Sequence, residues 1–229
     1  MQPSMHTNGI QRISTNCALA ASRAGTADAD PLGQSMHLMG AMMAYPGNNE
    51  IFGENEPADY LYQVVSGSVR TYKILSDGRR QVGGFYLSGD IFGLEFAEEH
   101  TLSAEAISDA KVLVVKRSAL SALAARDPSV AQQLFALTGR ELHRVQDRML
   151  LLIKNARERV ASFLLEMAER ASENNTIDLP MSRQDIADYL GLTIETVSRT
   201  LTSLETASAI EVSPSSRRIV LRNRAVLAA

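Results

Sequence analysis

Glu195, Ser198 and Arg199 fall on one side of a helical pitch, with Ile194 and Thr202 beside them and Val197, Leu201 and Leu204 opposite. That exposed row has the chemistry to read bases. A guanidinium can bond guanine O6 and N7 together and a carboxylate can accept from cytosine N4, so Arg199 and Glu195 could read one G·C pair. Such a pairing discriminates by about 1–3 kcal/mol, against about 0.2–0.5 kcal/mol for a solvated Glu–Arg pair on an isolated helix. The surrounding elements decide between these readings.

Those elements make a helix-turn-helix of Ser182–Leu204. Ser182 caps a first helix, Asp185 completes a capping box, and Ile186 and Leu190 give an apolar stripe. Gly191 can take the left-handed conformation that ends a helix, Leu192 plugs the corner, and Thr193 caps the second helix. Downstream, Ile210–Val212 and Arg218–Leu221 flank the Ser213–Ser216 turn, which predicts a wing. After Glu211 come Arg217, Arg218, Arg222 and Arg224 with no acidic residue, a basic patch within a chain of net charge −3. The groups divide into two sets. Ile194, Glu195, Ser198 and Arg199 are the expected base readers on double-stranded DNA, and Ser182, Arg183, Gln184, Thr193, Thr196, Arg217 and Arg218 the expected phosphate contacts.

The rest of the chain is read as support for this site. Residues 1–35, rich in Ser, Thr, Asn, Ala and Gly, are expected to be a disordered tail. Tyr60–Val65, Ser68–Leu75, Arg80–Tyr86 and Lys111–Val115 read as strands separated by glycine turns, so residues 36–127 predict a small barrel or jelly roll. Met36, Met39, Met42 and Met43 have near-helical spacing, which predicts core packing. A helix over 128–155 carries Phe135, Thr138, Leu142, Val145, Met149 and Leu152 in alternating steps of three and four, a coiled-coil seam that predicts a homodimer. The same seam could also pack on its own barrel. Arg157–Ala171 predicts a helix seating the DNA-binding domain, 156–229. The fold class is therefore α+β.

Composition narrows the function. The 229 residues are 45% hydrophobic, enough for one or two cores, and no run of apolar residues is long enough to span a membrane. No signal peptide is evident, so a cytoplasmic location is expected. Cys17 is the single cysteine, too few for an iron-sulfur cluster, a zinc site or an intramolecular disulfide. The four histidines, His6, His37, His100 and His143, are scattered. No nucleophile-base pair, metal set or phosphate loop appears, so the chain does not read as an enzyme.

The run from Met181 to Leu204 resembles the DNA-binding signature of the Crp/Fnr superfamily, and the Glu195, Ser198, Arg199 trio is similar to its FNR and FixK branches. The CRP branch usually has glycine at the position of Ser198. Val65–Val69 and Gly89–Gly93 resemble the family's cyclic-nucleotide-binding β-roll, and the likeness spans roughly residues 45–225. Ser76–Val82 and Leu179–Leu192 look most like FixK proteins. The resemblance implies an FNR-like palindrome, TTGAT-N4-ATCAA, with Ser198 near the thymine beside the G·C pair. It implies regulation, mainly activation, of genes for microaerobic respiration, nitrogen fixation or denitrification. It also implies RNA polymerase as a partner, through Ser172–Asn175 and Ser76–Arg80.

Cyclic-nucleotide binders of this family hold the ribose with a glutamate and the phosphate with an arginine-serine pair. Leu94 and Leu102 occupy those places here, leaving Ser103, and no arginine occurs between Arg80 and Arg117. An anionic phosphate would lack its guanidinium partner, so no cofactor or cyclic nucleotide is expected. The alternatives are a haem-dependent, nitric-oxide-sensing regulator of the Dnr type and a cyclic-nucleotide-responsive regulator of the CRP type.

Overall fold

The computed structural model describes residues 31–95, 97–151, 153–171, 175–213 and 217–228, so Cys17, Leu152 and most of the expected tail lie outside the described residues. Two compact units form, and they do not follow sequence order. The first runs through Val69 and resumes over Tyr86–Thr138; the second takes Arg70–Phe85 together with the chain from Gly139 on.

The first described element is a helix, α1 (Pro31–Met39), so residues 31–35 of the stretch expected to be tail are helical. The reason is burial: Leu32 and Met36 pack into a cluster with Leu61, Leu113, Val115, Leu120 and Val130. Then follow β1 (Ala41–Tyr45), β2 (Glu50–Phe52), β3 (Tyr60–Ser66), β4 (Ser68–Ile74), β5 (Arg80–Leu87), β6 (Ile91–Phe92), β7 (Ser103–Ala106) and β8 (Ala110–Lys116). They make two four-stranded sheets, ordered β1-β8-β3-β6 and β2-β7-β4-β5. This is the expected β-roll, with four short strands, β1, β2, β6 and β7, that the sequence pattern did not announce.

Alternation along the strands sends side chains to opposite faces. Tyr62, Val64, Val112 and Val114 join Tyr45, Phe52, Val69 and Phe92 in the core of the roll, whereas Leu61, Val65, Leu113 and Val115 face the cluster around Met36. Both faces of β8 are thus buried, and it reads as one apolar run. The methionines divide the same way. Met36 is buried in α1, Met39 ends that helix exposed, Met42 joins the cluster around Met36 and Met43 joins the roll core, so the spacing that looked helical crosses a helix end into a strand. The β3–β4 turn demands glycine: Gly67 has φ +83°, and a Cβ there would sit 2.3 Å from the Asp109 carbonyl oxygen.

After α2 (Arg117–Ala124) comes the long helix α3 (Pro128–Leu151), ending before the expected residue 155. Val130, Leu134 and Leu137 pack on the cluster around Met36. Phe135, Leu142, Val145 and Met149 are left exposed, at 81%, 58%, 51% and 64%.

The second unit contains α4 (Ala156–Ala171), β9 (Thr176–Asp178), α5 (Arg183–Leu190), α6 (Ile194–Thr206), β10 (Ile210–Val212), β11 (Arg218–Leu221) and α7 (Arg224–Ala228). Its sheet runs β10-β11-β9, all antiparallel. Val160, Phe163, Leu164 and Met167 of α4 are buried, as are Ile177, Ile186, Val197, Leu201, Leu204 and Ile219. Each such side chain contributes about 1.5–3 kcal/mol by leaving water. The hairpin segment belongs here through Phe85, whose ring lies 6.2 Å from Phe163 and 5.2 Å from Tyr189.

Candidate nucleic-acid interface

The turn between α5 and α6 is built by local chemistry. Ser182 Oγ accepts from the Asp185 amide at 3.1 Å while Asp185 Oδ2 accepts from the Ser182 amide at 2.9 Å and hydroxyl at 2.8 Å, a reciprocal capping box. Gly191 ends α5 at φ 63°, ψ 40°, and the Leu192 amide donates to the Ala187 carbonyl at 3.0 Å. Thr193 caps α6, its hydroxyl accepting from the Thr196 amide at 3.3 Å. Arg159 Nη1 donates to the Leu190 carbonyl at 3.0 Å, anchoring the end of α5 to α4.

On α6 the apolar row Val197, Leu201, Leu204 is buried, while Ile194, Glu195 and Arg199 are exposed and Ser198 is half-buried. Arg199 Nε donates to the Glu195 carbonyl oxygen of its own helix at 3.4 Å. Glu195 is held below the ordinary glutamate range by its own backbone amide first, then by the Thr193 hydroxyl and the nearby Arg199 charge. It is therefore an anion, and an acceptor, at neutral pH. Arg183 Nη1 donates to Ser198 Oγ at 3.3 Å, bringing a residue expected on phosphate against one expected on a base.

The other expected phosphate residues have uneven freedom. Ser182 is occupied as a cap, Gln184 Nε2 donates to Asp188 Oδ1 at 2.6 Å, and the Thr193 and Thr196 hydroxyls lie 3.1 Å apart. Arg218 forms a two-bond pair with Asp178, and Arg217 is exposed.

Sequence reasoning gave Arg70 and Asp188 no role, Asp185 only that of a cap and Arg80 only a place in the Ser76–Arg80 turn. Asp185 Oδ1 accepts from Arg70 Nη1 at 3.1 Å and Arg80 Nη2 at 2.6 Å, and Asp188 Oδ2 accepts from Arg80 Nε at 2.8 Å. Two acids three residues apart on one helix face signal the need for cations, but the cations come from more than 100 residues away.

In the β-roll, several described residues of the segment joining β6 to β7 are held by contacts of their own. Leu94 packs on the cluster around Met36, and Ser103 Oγ accepts from the Glu54 amide at 2.9 Å. His100, 1% exposed, stacks on Phe52 with ring centres 3.6 Å apart and bonds Glu95 through Nδ1 at 2.8 Å. Arg117, the first arginine after Arg80, spends its guanidinium on the Gly93 and Ala97 carbonyls. Glu95, Glu98 and Glu99 make the same segment acidic. Among the described residues, no group of three or more His, Cys, Asp or Glu could hold a metal ion, and no helix is long and apolar enough to cross a membrane.

A family model described as the Crp-like helix-turn-helix domain matches residues 158–229, and one described as the cyclic nucleotide-binding domain matches residues 42–127. The chain is 50% identical over 200 residues to the nitrogen fixation regulation protein FixK of Azorhizobium caulinodans, covering 85% of this chain and 80% of that one. It is 37% identical over 218 residues to the transcriptional activatory protein AadR of Rhodopseudomonas palustris, covering 91% and 90%. Among solved structures, FixK2 from Bradyrhizobium japonicum matches with a TM-score of 0.79 at 54% identity, covering 82% of this chain and 96% of that one.

Proposed function

The chain belongs to the Crp/Fnr family of DNA-binding transcription regulators, in its FixK-like branch, and from this membership we propose that it binds a TTGAT-N4-ATCAA operator as a homodimer. It does so without a cluster, haem or cyclic nucleotide, and recruits RNA polymerase to genes of microaerobic respiration, nitrogen fixation or denitrification. The observation that carries the operator assignment is the row Glu195, Ser198, Arg199 on a helix whose start and approach are fixed by Thr193 and Gly191. Glu195 and Arg199 address the G·C pair of each half-site, Ser198 the neighbouring thymine, and Ile194 offers an apolar surface to a base edge. Arg183, Arg217 and Arg218, with the polar groups Ser182, Gln184, Thr193 and Thr196, set the register on phosphates.

The dimer is supported by the exposed apolar row of α3, Phe135, Leu142, Val145 and Met149, with Thr138 in step. A two-fold protein matches a two-fold operator. Operation without a small ligand is supported by the packed segment around Leu94, His100 and Ser103, and activation by the likeness to FixK and AadR.

The test is fluorescence anisotropy of purified protein on a TTGAT-N4-ATCAA duplex and a scrambled duplex at about 0.15 M salt, since phosphate contacts make affinity salt-dependent. Site-specific binding without effector is expected. Discrimination that appears only after adding haem or a cyclic nucleotide would overturn the ligand-free assignment.

A further inference from the structure

We propose that Arg70 and Arg80 are positioning residues for DNA reading, holding the first helix of the helix-turn-helix from a hairpin that touches no base. The proposal rests on the operator reading given above.

The four charges form a connected set. Asp185, 3% exposed, accepts four bonds: the Ser182 amide and hydroxyl on one oxygen, Arg70 and Arg80 on the other. Asp188 takes Gln184 on one oxygen and both Nε and Nη2 of Arg80 on the other. Two guanidiniums thus face two carboxylates, and the pairing offsets the cost of burying Asp185, because a carboxylate left alone in such a place is strongly unfavourable.

The set also fixes geometry. Asp185 and Asp188 sit three residues apart on α5, so the helix is gripped at two points along its axis. Gln81 adds a third, its amide donating to the Asp188 carbonyl at 2.6 Å. Arg148 reinforces the hairpin side, donating to the Val82 and Gly83 carbonyls while its guanidinium lies 4.5 Å from the Tyr189 ring centre. Asp185 is also the acid of the capping box, so the arginines orient the same carboxylate that starts α5. Because α5 and α6 are joined through Gly191, Leu192 and Thr193 and share a buried face, whatever fixes α5 fixes the reading row of α6.

The experiment uses the full chain and the two duplexes, with thermal unfolding followed in parallel. Arg80→Ala and Asp188→Asn should each weaken binding to the operator about tenfold, the scale of one lost charge-assisted bond, and leave scrambled-duplex binding nearly unchanged. Arg80→Lys should fall between, because an ammonium cannot serve both carboxylates in the same planar fork. The exchange Arg80→Asp with Asp188→Arg should recover part of the loss. Operator binding by Arg80→Ala equal to wild type would overturn the proposal. So would an equal loss on both duplexes that tracks a lowered unfolding temperature, which marks a role in stability alone. A wild-type protein that fails to discriminate the duplexes would overturn the operator reading itself, a result separate from any behaviour of the variants.

Discussion

Arg218 and Asp178 stand directly opposite each other on β11 and β9 and share two parallel bonds of 2.9 and 3.0 Å. The wing arginine expected on phosphate is therefore partly neutralised by its own sheet. Asp178→Ala should release it, strengthen binding to operator and scrambled duplexes alike, and steepen the log–log salt dependence by about one unit. An unchanged slope would remove Arg218 from the phosphate set. The pairing also predicts a pH effect. The hydrogen bond from Arg218 holds the Asp178 carboxyl below its ordinary range, so the pair is intact at neutral pH and is lost as pH falls through that lowered value.

Arg199→Ala should cost about 1–3 kcal/mol of discrimination between the operator and a duplex with the G·C pair changed, with smaller change on the scrambled duplex. Retained discrimination would refute the assignment of Arg199 to guanine. Glu195 is anionic well below neutrality, so its reading of cytosine should be insensitive to pH between about 5 and 8. A Glu195→Gln protein should show the same pH profile as wild type over that interval.

Leu142 and Val145 are more than half exposed on α3. Replacing both by glutamate should give a monomer by sedimentation with little change in thermal stability at low concentration, and operator affinity should fall by at least about a hundredfold as two half-sites are no longer bound together. A stable dimer in this variant would place the interface elsewhere.

Gly191 holds φ 63°, and a Cβ there would meet only Arg159 Nη1, at an ordinary contact distance of 3.8 Å. Gly191→Ala should therefore lose about 1 kcal/mol or slightly more from backbone strain alone, a fall of roughly 2–4 °C in melting temperature for a protein of this size. A drop several times larger would show that the glycine excludes a neighbour as well as shaping the turn.

The helix-turn-helix was legible because its signals are local. Ser182, Asp185, Gly191 and Thr193 each act within three or four residues, and α5, α6, β10 and β11 lie where the caps and turns put them. The β-roll was legible in outline only. β6 has two residues and β2 three, too short for any period to show, and β8 buries both faces and so carries no alternation. The Arg70, Arg80, Asp185, Asp188 set was invisible for a different reason: its arginines lie more than 100 residues from its acids, and Arg80 stood out only as the end of the Ser76–Arg80 turn, a candidate polymerase contact. The structure spends that guanidinium on α5, leaving Asp77 and Arg79 as the exposed charges of the turn.

Pairing through the bare apolar side of α3, as proposed, carries a nonlinear response of the protein to its own abundance. Where chains are mostly single, the concentration of assembled pairs grows as the square of total chain concentration, and occupancy of a palindromic operator follows it. Doubling synthesis then quadruples promoter filling at the foot of the curve, and dilution by cell growth empties it equally fast. Such a regulator can in this way behave as a threshold device, with its set point written in the strength of one helix–helix contact.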